Sequence, residues 1–192
     1  MGPFKIILVG GGARSGKSRF ALSLAQRLGT RRLYLATAQA GDAEMSERIS
    51  RHQRERGTDF ATIEEPLDVC GVLRKNGHFQ VVVFDCLTLW LTNLLLGDGR
   101  AGKPVPRQSD ILDRVEELTA VLQLRANHVI VVTNEVGMGI VPETPLGREF
   151  RDLAGLAHQR LSECADEVYF AVLGNVLRIK PACQCGGIGG AE

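Results

Sequence analysis

No run of apolar residues in this chain of 192 approaches the roughly 20 needed to cross a bilayer, so a membrane-spanning helix is excluded. Charge of one sign is not in excess either: 23 Lys and Arg oppose 22 Asp and Glu, leaving a formal net charge of +1. A general nucleic-acid binder would carry a large basic surplus, and none is present. A disulfide framework is also lacking. Cys70, Cys86, Cys164, Cys183 and Cys185 are odd in number and mostly sit in or beside apolar or glycine-rich stretches, the pattern of reduced thiols in a cytosol. Cys183-x-Cys185 has no second ligand pair with which to hold a metal. Met1 to Gly12 has no basic start and runs directly into a glycine motif, so it reads as a first strand and not as a signal peptide. What remains is a cytoplasmic globular chain of ordinary composition, 44% hydrophobic and 23% charged, with the length of one domain.

Short β-branched runs alternate with helical patterns. Lys5–Val9, Arg32–Ala36, Gln80–Phe84 and His128–Thr133 read as buried strands, and Ala61–Ile63 as a brief one. Helical spacing marks Lys17–Leu28, a charged stretch from Asp42 to Arg56, Pro66–Lys75, Leu87–Leu96, Ser109–Arg125 and Arg148–Cys164. Gly97–Arg107 reads as a surface loop and Asn134–Gly147 as a structured loop or lid. Glu167–Val172 and Val176–Ile179 read as a hairpin turning at Gly174-Asn175. The alternation implies an α/β fold with a mostly parallel sheet and an antiparallel edge hairpin. One catalytic domain is expected over residues 1–182, and a disordered tail over 183–192.

Gly11-Gly12-Ala13-Arg14-Ser15-Gly16-Lys17-Ser18 fits the phosphate-loop pattern G-x-x-x-x-G-K-[ST], between a predicted strand and a predicted helix as the motif requires. Its glycines let the backbone curl so that successive N–H groups and the positive helix end face an anion. Lys17 can reach the β- and γ-phosphates of a nucleoside triphosphate, and Ser18 can ligate Mg²⁺. Asp85, at the tip of a buried strand, is placed for the water shell of that metal; it can equally cap the helix that begins at Leu87. The Asn-Lys-x-Asp element of guanine-specific switch proteins is missing, so spacing does not identify the base.

The stretch Glu44–Arg56 holds Arg48, Arg51, Arg54 and Arg56 around His52, with Met45, Ile49 and His52 on one helical face. Two readings stand. His52 can cover the edge of the core on a solvated helix. Alternatively, the arginines hold phosphate oxygens, keep the imidazole neutral, and leave His52 free to attack an α-phosphorus. His78 and His128 precede strands, and His158 lies on a late predicted helix. Trp90 reads as core packing more than as a substrate contact.

Several further runs keep a fixed order: Tyr34-Leu35-Ala36-Thr37-Ala38, Glu44-Met45, Arg48-Ile49 and His52, then Asp85-Cys86-Leu87-Thr88 with Thr92-Asn93-Leu94, and Thr133 through Pro142 (TNEVGMGIVP) leading into Arg148–Asp152. With the phosphate loop, they resemble the bifunctional adenosylcobinamide kinase/adenosylcobinamide-phosphate guanylyltransferase family of cobalamin biosynthesis, over Lys5 to Lys180. The resemblance implies two reactions. ATP or GTP gives its γ-phosphate to the aminopropanol hydroxyl of adenosylcobinamide. GTP then loses pyrophosphate to leave a guanylylated histidine, whose GMP passes to adenosylcobinamide phosphate and forms adenosylcobinamide-GDP. By its place after Arg48-Ile49, His52 matches that histidine. Thr37, Ala38, Gln53, Arg54, Glu55, Arg56, Glu64 and Asp85 match positions the family uses around the nucleotide. A RecA-like fold and a homotrimer are likewise implied by the resemblance alone. The chain departs from relatives in having Arg51-His52 where some have two histidines, and Asp85 where a relative has Glu. Two rival readings are a kinase that forms no covalent GMP and a RecA-like ATPase module that acts through partners or nucleic acid. The neutral charge and the lack of a second domain argue against the module.

Overall fold

The computed structural model describes residues 4–39, 47, 53–54, 57–97 and 106–181. Most of the charged stretch from Asp42 to Arg56, most of the Gly97–Arg107 loop and the Cys183–Glu192 tail lie outside these residues. Seven strands form one sheet: β1 (Ile6–Gly11), β2 (Arg32–Ala36), β3 (Ala61–Glu64), β4 (Val81–Asp85), β5 (His128–Val132), β6 (Glu167–Val172) and β7 (Asn175–Lys180). Their order is β3-β2-β4-β5-β1-β6-β7, parallel throughout except for the β6–β7 pair. Among the described residues, the helices with defined bounds are α1 (Lys17–Leu28), α2 (Val69–Lys75), α3 (Leu87–Leu96), α4 (Gln108–Gln123) and α5 (Pro145–Cys164). The phosphate-loop strand–helix unit, the mostly parallel sheet and the antiparallel edge hairpin are those the sequence pattern predicts.

Side chains of a strand alternate between the two faces of its sheet, so each apolar strand feeds two cores. Ile6, Leu8, Leu33, Leu35, Phe84 and Val131 pack with α2, α3, α4 and α5. Ile7, Val9, Tyr34, Val83, Ile130 and Val132 point the other way, against Ala21 and Ala25 of α1. Both faces are covered, which is why the central strands read as continuous apolar runs without polar alternation. Among the described residues, no helix is long and apolar enough to cross a membrane.

Most element boundaries fall within one or two residues of the sequence expectation, and three differences have a clear physical reason. Pro66 does not open a helix. The Glu65 carboxylate accepts the N–H groups of Leu67 and Asp68, and Asp68 then caps α2 by accepting from Gly71 N–H at 3.0 Å. α5 begins at Pro145, not Arg148, because Thr144 caps it and proline fits the first helical position, where no N–H is needed. The hairpin turns at Leu173 and Gly174, both at positive φ (51° and 77°), and Asn175 already belongs to β7. Such a two-residue turn needs left-handed backbone at both central positions.

Trp90 is fully buried in α3, edge-on to Phe84, and its indole N–H donates to the Leu67 carbonyl at 2.9 Å. Its role is therefore structural. Trp90→Ala is expected to cost about 3–5 kcal/mol in urea unfolding followed by circular dichroism. Trp90→Phe should cost about 1–3 kcal/mol, because it leaves the Leu67 carbonyl without its donor. Unchanged stability in both would contradict this assignment.

Candidate active site

The site is built at the carboxyl ends of the parallel strands, where α/β sheets place ligands. Strand register aligns the termini in one row: Glu64 of β3 faces Ala36 of β2, which faces Asp85 of β4, then Val132 of β5 and Val9 of β1. The phosphate loop leaves β1 just beyond this row and leads into α1. Because β5 stands between β1 and β4, its tip lies between the phosphate loop and Asp85.

The loop is pre-formed by its backbone. Gly11 (φ 153°), Arg14 (φ 55°) and Gly16 (φ 95°) all take the left-handed half of conformational space. A Cβ on Gly11 would stand 2.5 Å from the Ala171 carbonyl of β6 and 2.8 Å from Ser15 Oγ, so only glycine fits. No side chain caps α1, and its first turn holds no acidic residue, so its positive end is open to an anion. Lys17 is 6% exposed and its Nζ donates to the Gly12 carbonyl at 3.1 Å, which poises the ammonium over the loop. Ser15 is also buried, and its Oγ has no hydrogen-bond partner among the described residues. An unpaired buried hydroxyl is costly, and a phosphate oxygen would satisfy it. Gly12, Ala13, Arg14 and Ser18 are at least partly exposed along the same curl.

Asp85 accepts a hydrogen bond from the Tyr34 hydroxyl at 2.5 Å, which fixes one carboxylate oxygen at the strand tip. Thr37 is fully buried. Its hydroxyl donates to the Cys86 carbonyl and accepts from the Cys86 N–H, both at 2.9 Å, while its N–H donates to the Asp85 carbonyl. Asn93 on α3 donates to the Thr37 carbonyl at 2.8 Å. The polar groups of Thr37 thus brace the strand ends, and the half-exposed Ala38 follows it at the crevice. At the far end of the row, Gln53 donates to Glu64 at 3.2 Å, and Arg54 is exposed. His52, Glu55 and Arg56 lie outside the described residues. Burial, reinforced by the Asp85 charge, pushes the Cys86 thiol up to about 11, so it stays protonated.

Spacing did not reveal a second polar group. At the tip of β5, Thr133 Oγ lies 2.7 Å from His158 Nε2 of α5. His158 Nδ1 lies 3.6 Å from the Glu135 carboxylate, whose other oxygen accepts the Gly137 N–H at 2.6 Å. Glu135 N–H donates to the Gly11 carbonyl at 3.0 Å, tying this loop to the phosphate loop. Burial lowers the His158 pKa from its ordinary 6.5 by more than Glu135 raises it, so at neutral pH the ring is uncharged and its contact with Glu135 is not an ion pair. The other described histidines are remote from this edge. His128 opens β5 at its opposite end, where Nδ1 accepts from Lys5 N–H, and His78 stacks beside Phe79 before β4.

Two outcomes follow. Gly11→Ala should weaken binding of a fluorescent GTP analogue by more than tenfold and lower the melting temperature. Gly16→Ala should cost only about 1–2 kcal/mol in stability, because a Cβ there meets no atom within 4 Å and strains only the backbone. Equal effects would refute the close-approach argument. The second concerns pH. Since the folded-state pKa of His158 is depressed, its neutral ring contributes fully to stability above pH 6.5, and that contribution is lost as pH falls toward the depressed value. Urea stability of the wild type should therefore decline below pH 6.5 more steeply than that of His158→Gln; parallel curves would rule the effect out.

Comparison with known proteins places this geometry in a family. The family model described as cobinamide kinase/cobinamide phosphate guanyltransferase matches residues 7–179. The chain is 42% identical to the bifunctional adenosylcobalamin biosynthesis protein CobP of Pseudomonas aeruginosa, over 90% of this chain and 96% of that one. It is also 42% identical to CobU of Salmonella typhimurium, over 91% of this chain and 99% of that protein, and 39% identical to CobU of Escherichia coli, over the same shares. Among solved structures it is similar to the flagellar accessory protein FlaH from Methanocaldococcus jannaschii (12% identity, TM-score 0.47, 90% of this chain and 74% of that one). It is likewise similar to the RadB recombinase (16% identity, TM-score 0.47, 86% of this chain and 73% of that one). With the match running nearly end to end, from β1 into β7, the chain belongs to the cobinamide kinase/cobinamide phosphate guanyltransferase family of enzymes.

Proposed function

We propose that this chain phosphorylates adenosylcobinamide with ATP or GTP and then transfers GMP from GTP, through His52, to adenosylcobinamide phosphate. The observation that carries the reading is the row of strand tips that sets a pre-formed phosphate loop, Asp85 and the Gln53–Glu64 contact along one edge, in a chain of this family.

The triphosphate is to lie on the N–H groups of Gly11 to Ser18 and the positive end of α1, with Lys17 at its β- and γ-phosphates. Ser18 and, through water, Asp85 suit Mg²⁺. Among the described residues, no cluster of three or more His, Cys, Asp or Glu could hold a metal ion. In this proposal the ion is held mainly by phosphate oxygens and water, with one or two protein oxygens. When bound, Mg²⁺ neutralises charge on the β- and γ-oxygens. The protein's share is positioning and fixed dipoles: Lys17, the loop amides and Arg14 face the charge that develops as the γ-phosphoryl group moves.

For guanylyl transfer, neutral His52 attacks the α-phosphorus, the bond to the α–β bridging oxygen breaks, and pyrophosphate leaves. A phosphate oxygen of adenosylcobinamide phosphate then takes the GMP and frees the histidine. Two displacements keep the phosphorylated corrinoid and the triphosphate from meeting in one step. Gln53 bonds to Glu64 at the nucleotide edge, and the role of His52, which lies outside the described residues, rests on its place in the sequence. The proposed assembly is a homotrimer, in keeping with apolar side chains left exposed on the hairpin, Leu173, Leu177 and Ile179 among them.

The test is incubation with GTP radiolabelled at the α-phosphate, beside His52→Ala. Acid-labile, base-stable label on the wild type and none on the variant is the expected result. Wild-type protein that binds GTP yet never retains label would overturn the two-step route and favour a kinase acting alone.

A further inference from the structure

The Thr133–His158–Glu135 group plays no part in the mechanism above, yet it gathers at the tip of β5, the strand between β1 and β4. A carboxylate beside a triphosphate repels it, so Glu135 weakens nucleotide binding unless it does something else there. Its own backbone N–H donates to the Gly11 carbonyl, which ties the Glu135 main chain to the phosphate loop. Gly137 N–H fixes one oxygen at 2.6 Å, and His158 Nδ1 faces the other at 3.6 Å. The side chain remains 27% exposed, which leaves lone pairs for a further partner. A neutral His158 has one N–H. If the Thr133 hydroxyl donates to Nε2, that N–H is at Nδ1 and points to Glu135, and a buried hydroxyl thereby sets the tautomer. The titratable and charged groups of α5 near Glu135 are the neutral His158 and Arg151, the latter donating to the Gly137 carbonyl; Lys17 opens α1 and Asp85 ends β4 at the same sheet edge.

We propose that Glu135 is the general base of the kinase step and that His158, oriented by Thr133, is its positioning residue. The inference rests on the kinase half of the function proposed above. As the substrate hydroxyl attacks the γ-phosphorus, its O–H bond breaks and the proton passes to a free lone pair of the Glu135 carboxylate. The new P–O bond forms while the bond from the γ-phosphorus to the β–γ bridging oxygen breaks, releasing the nucleoside diphosphate. Glu135 then returns its proton to water. Short, well-aligned contacts of this kind often form only when substrate is bound, so the 3.6 Å separation from His158 is compatible with the role.

The test uses full-length protein with adenosylcobinamide, ATP and Mg²⁺, and measures GMP labelling in parallel. Glu135→Gln keeps the backbone bond to Gly11 and an acceptor for Gly137, and should lower kcat for phosphorylation by roughly 10²–10⁴-fold. Both KM values and the Mg²⁺ half-saturation should stay within about threefold, with GMP labelling retained. His158→Leu should lower kcat with unchanged KM, and His158→Gln, which keeps an N–H donor, should recover part of the loss. Wild-type turnover with undiminished kcat in Glu135→Gln would overturn the base assignment. A loss confined to KM or to Mg²⁺ affinity would overturn it in favour of ligand or metal binding. Equal losses in both His158 variants would overturn the positioning role. If the wild type itself does not phosphorylate adenosylcobinamide, the functional reading fails instead, which is a separate result.

Discussion

The parallel register of β1, β5, β4 and β2 is the constraint on which the rest depends. It places Val9, Val132, Asp85 and Ala36 level with one another, and every group of the nucleotide edge extends from that line. The same register sorts Leu8, Val131 and Phe84 to one core and Val9, Val132 and Val83 to the other. A slip of one residue would exchange the faces of a whole strand. Core packing therefore locks the position of the site, and neither can change without the other.

Above that line the strand ends are joined by buried polar contacts. Thr37 and Cys86 bond reciprocally, Asn93 reaches the Thr37 and Pro66 carbonyls, and Asn134 donates to the Thr88 hydroxyl at 2.9 Å. Such a network is favourable only when its members are satisfied, because an unpaired polar group in a low dielectric is costly. Here it braces the strand ends, so that the loops at this edge rest on a packed floor. Cys86 serves this floor as a protonated thiol beside Thr88.

The parts legible in the sequence are those defined locally. The phosphate loop is a contiguous backbone device, and α1 and α3 span the residues their periodicity marks, Lys17–Leu28 and Leu87–Leu96. The antiparallel edge was legible because short apolar runs flank a glycine turn. Two kinds of feature were not. Helix starts at Val69 and Pro145 depend on which side chain takes the first free N–H, and glycine and proline in the same stretch hid the choice. The Thr133–His158 contact joins residues on β5 and α5, and no periodicity links them. Its one sequence trace is the run Thr133-Asn134-Glu135 directly after a buried strand, polar residues at the edge where ligands bind.

Charge at this edge is divided by topology. The positive side comes from β1 and α1: open amides, the helix end and a nearly buried Lys17, whose field is less screened than it would be in water. The negative side comes from the neighbouring strand tips, with Asp85 on β4 and Glu135 beyond β5. A bare triphosphate would meet attraction from one side and repulsion from the other. A divalent cation on the phosphates would offset the second term, and a proton taken up by Glu135 would remove the share of that carboxylate. Under the proposed function, this division of charge suits a nucleotide bound together with its metal, so that the groups that attract the phosphates and those that repel them act on opposite sides of one site.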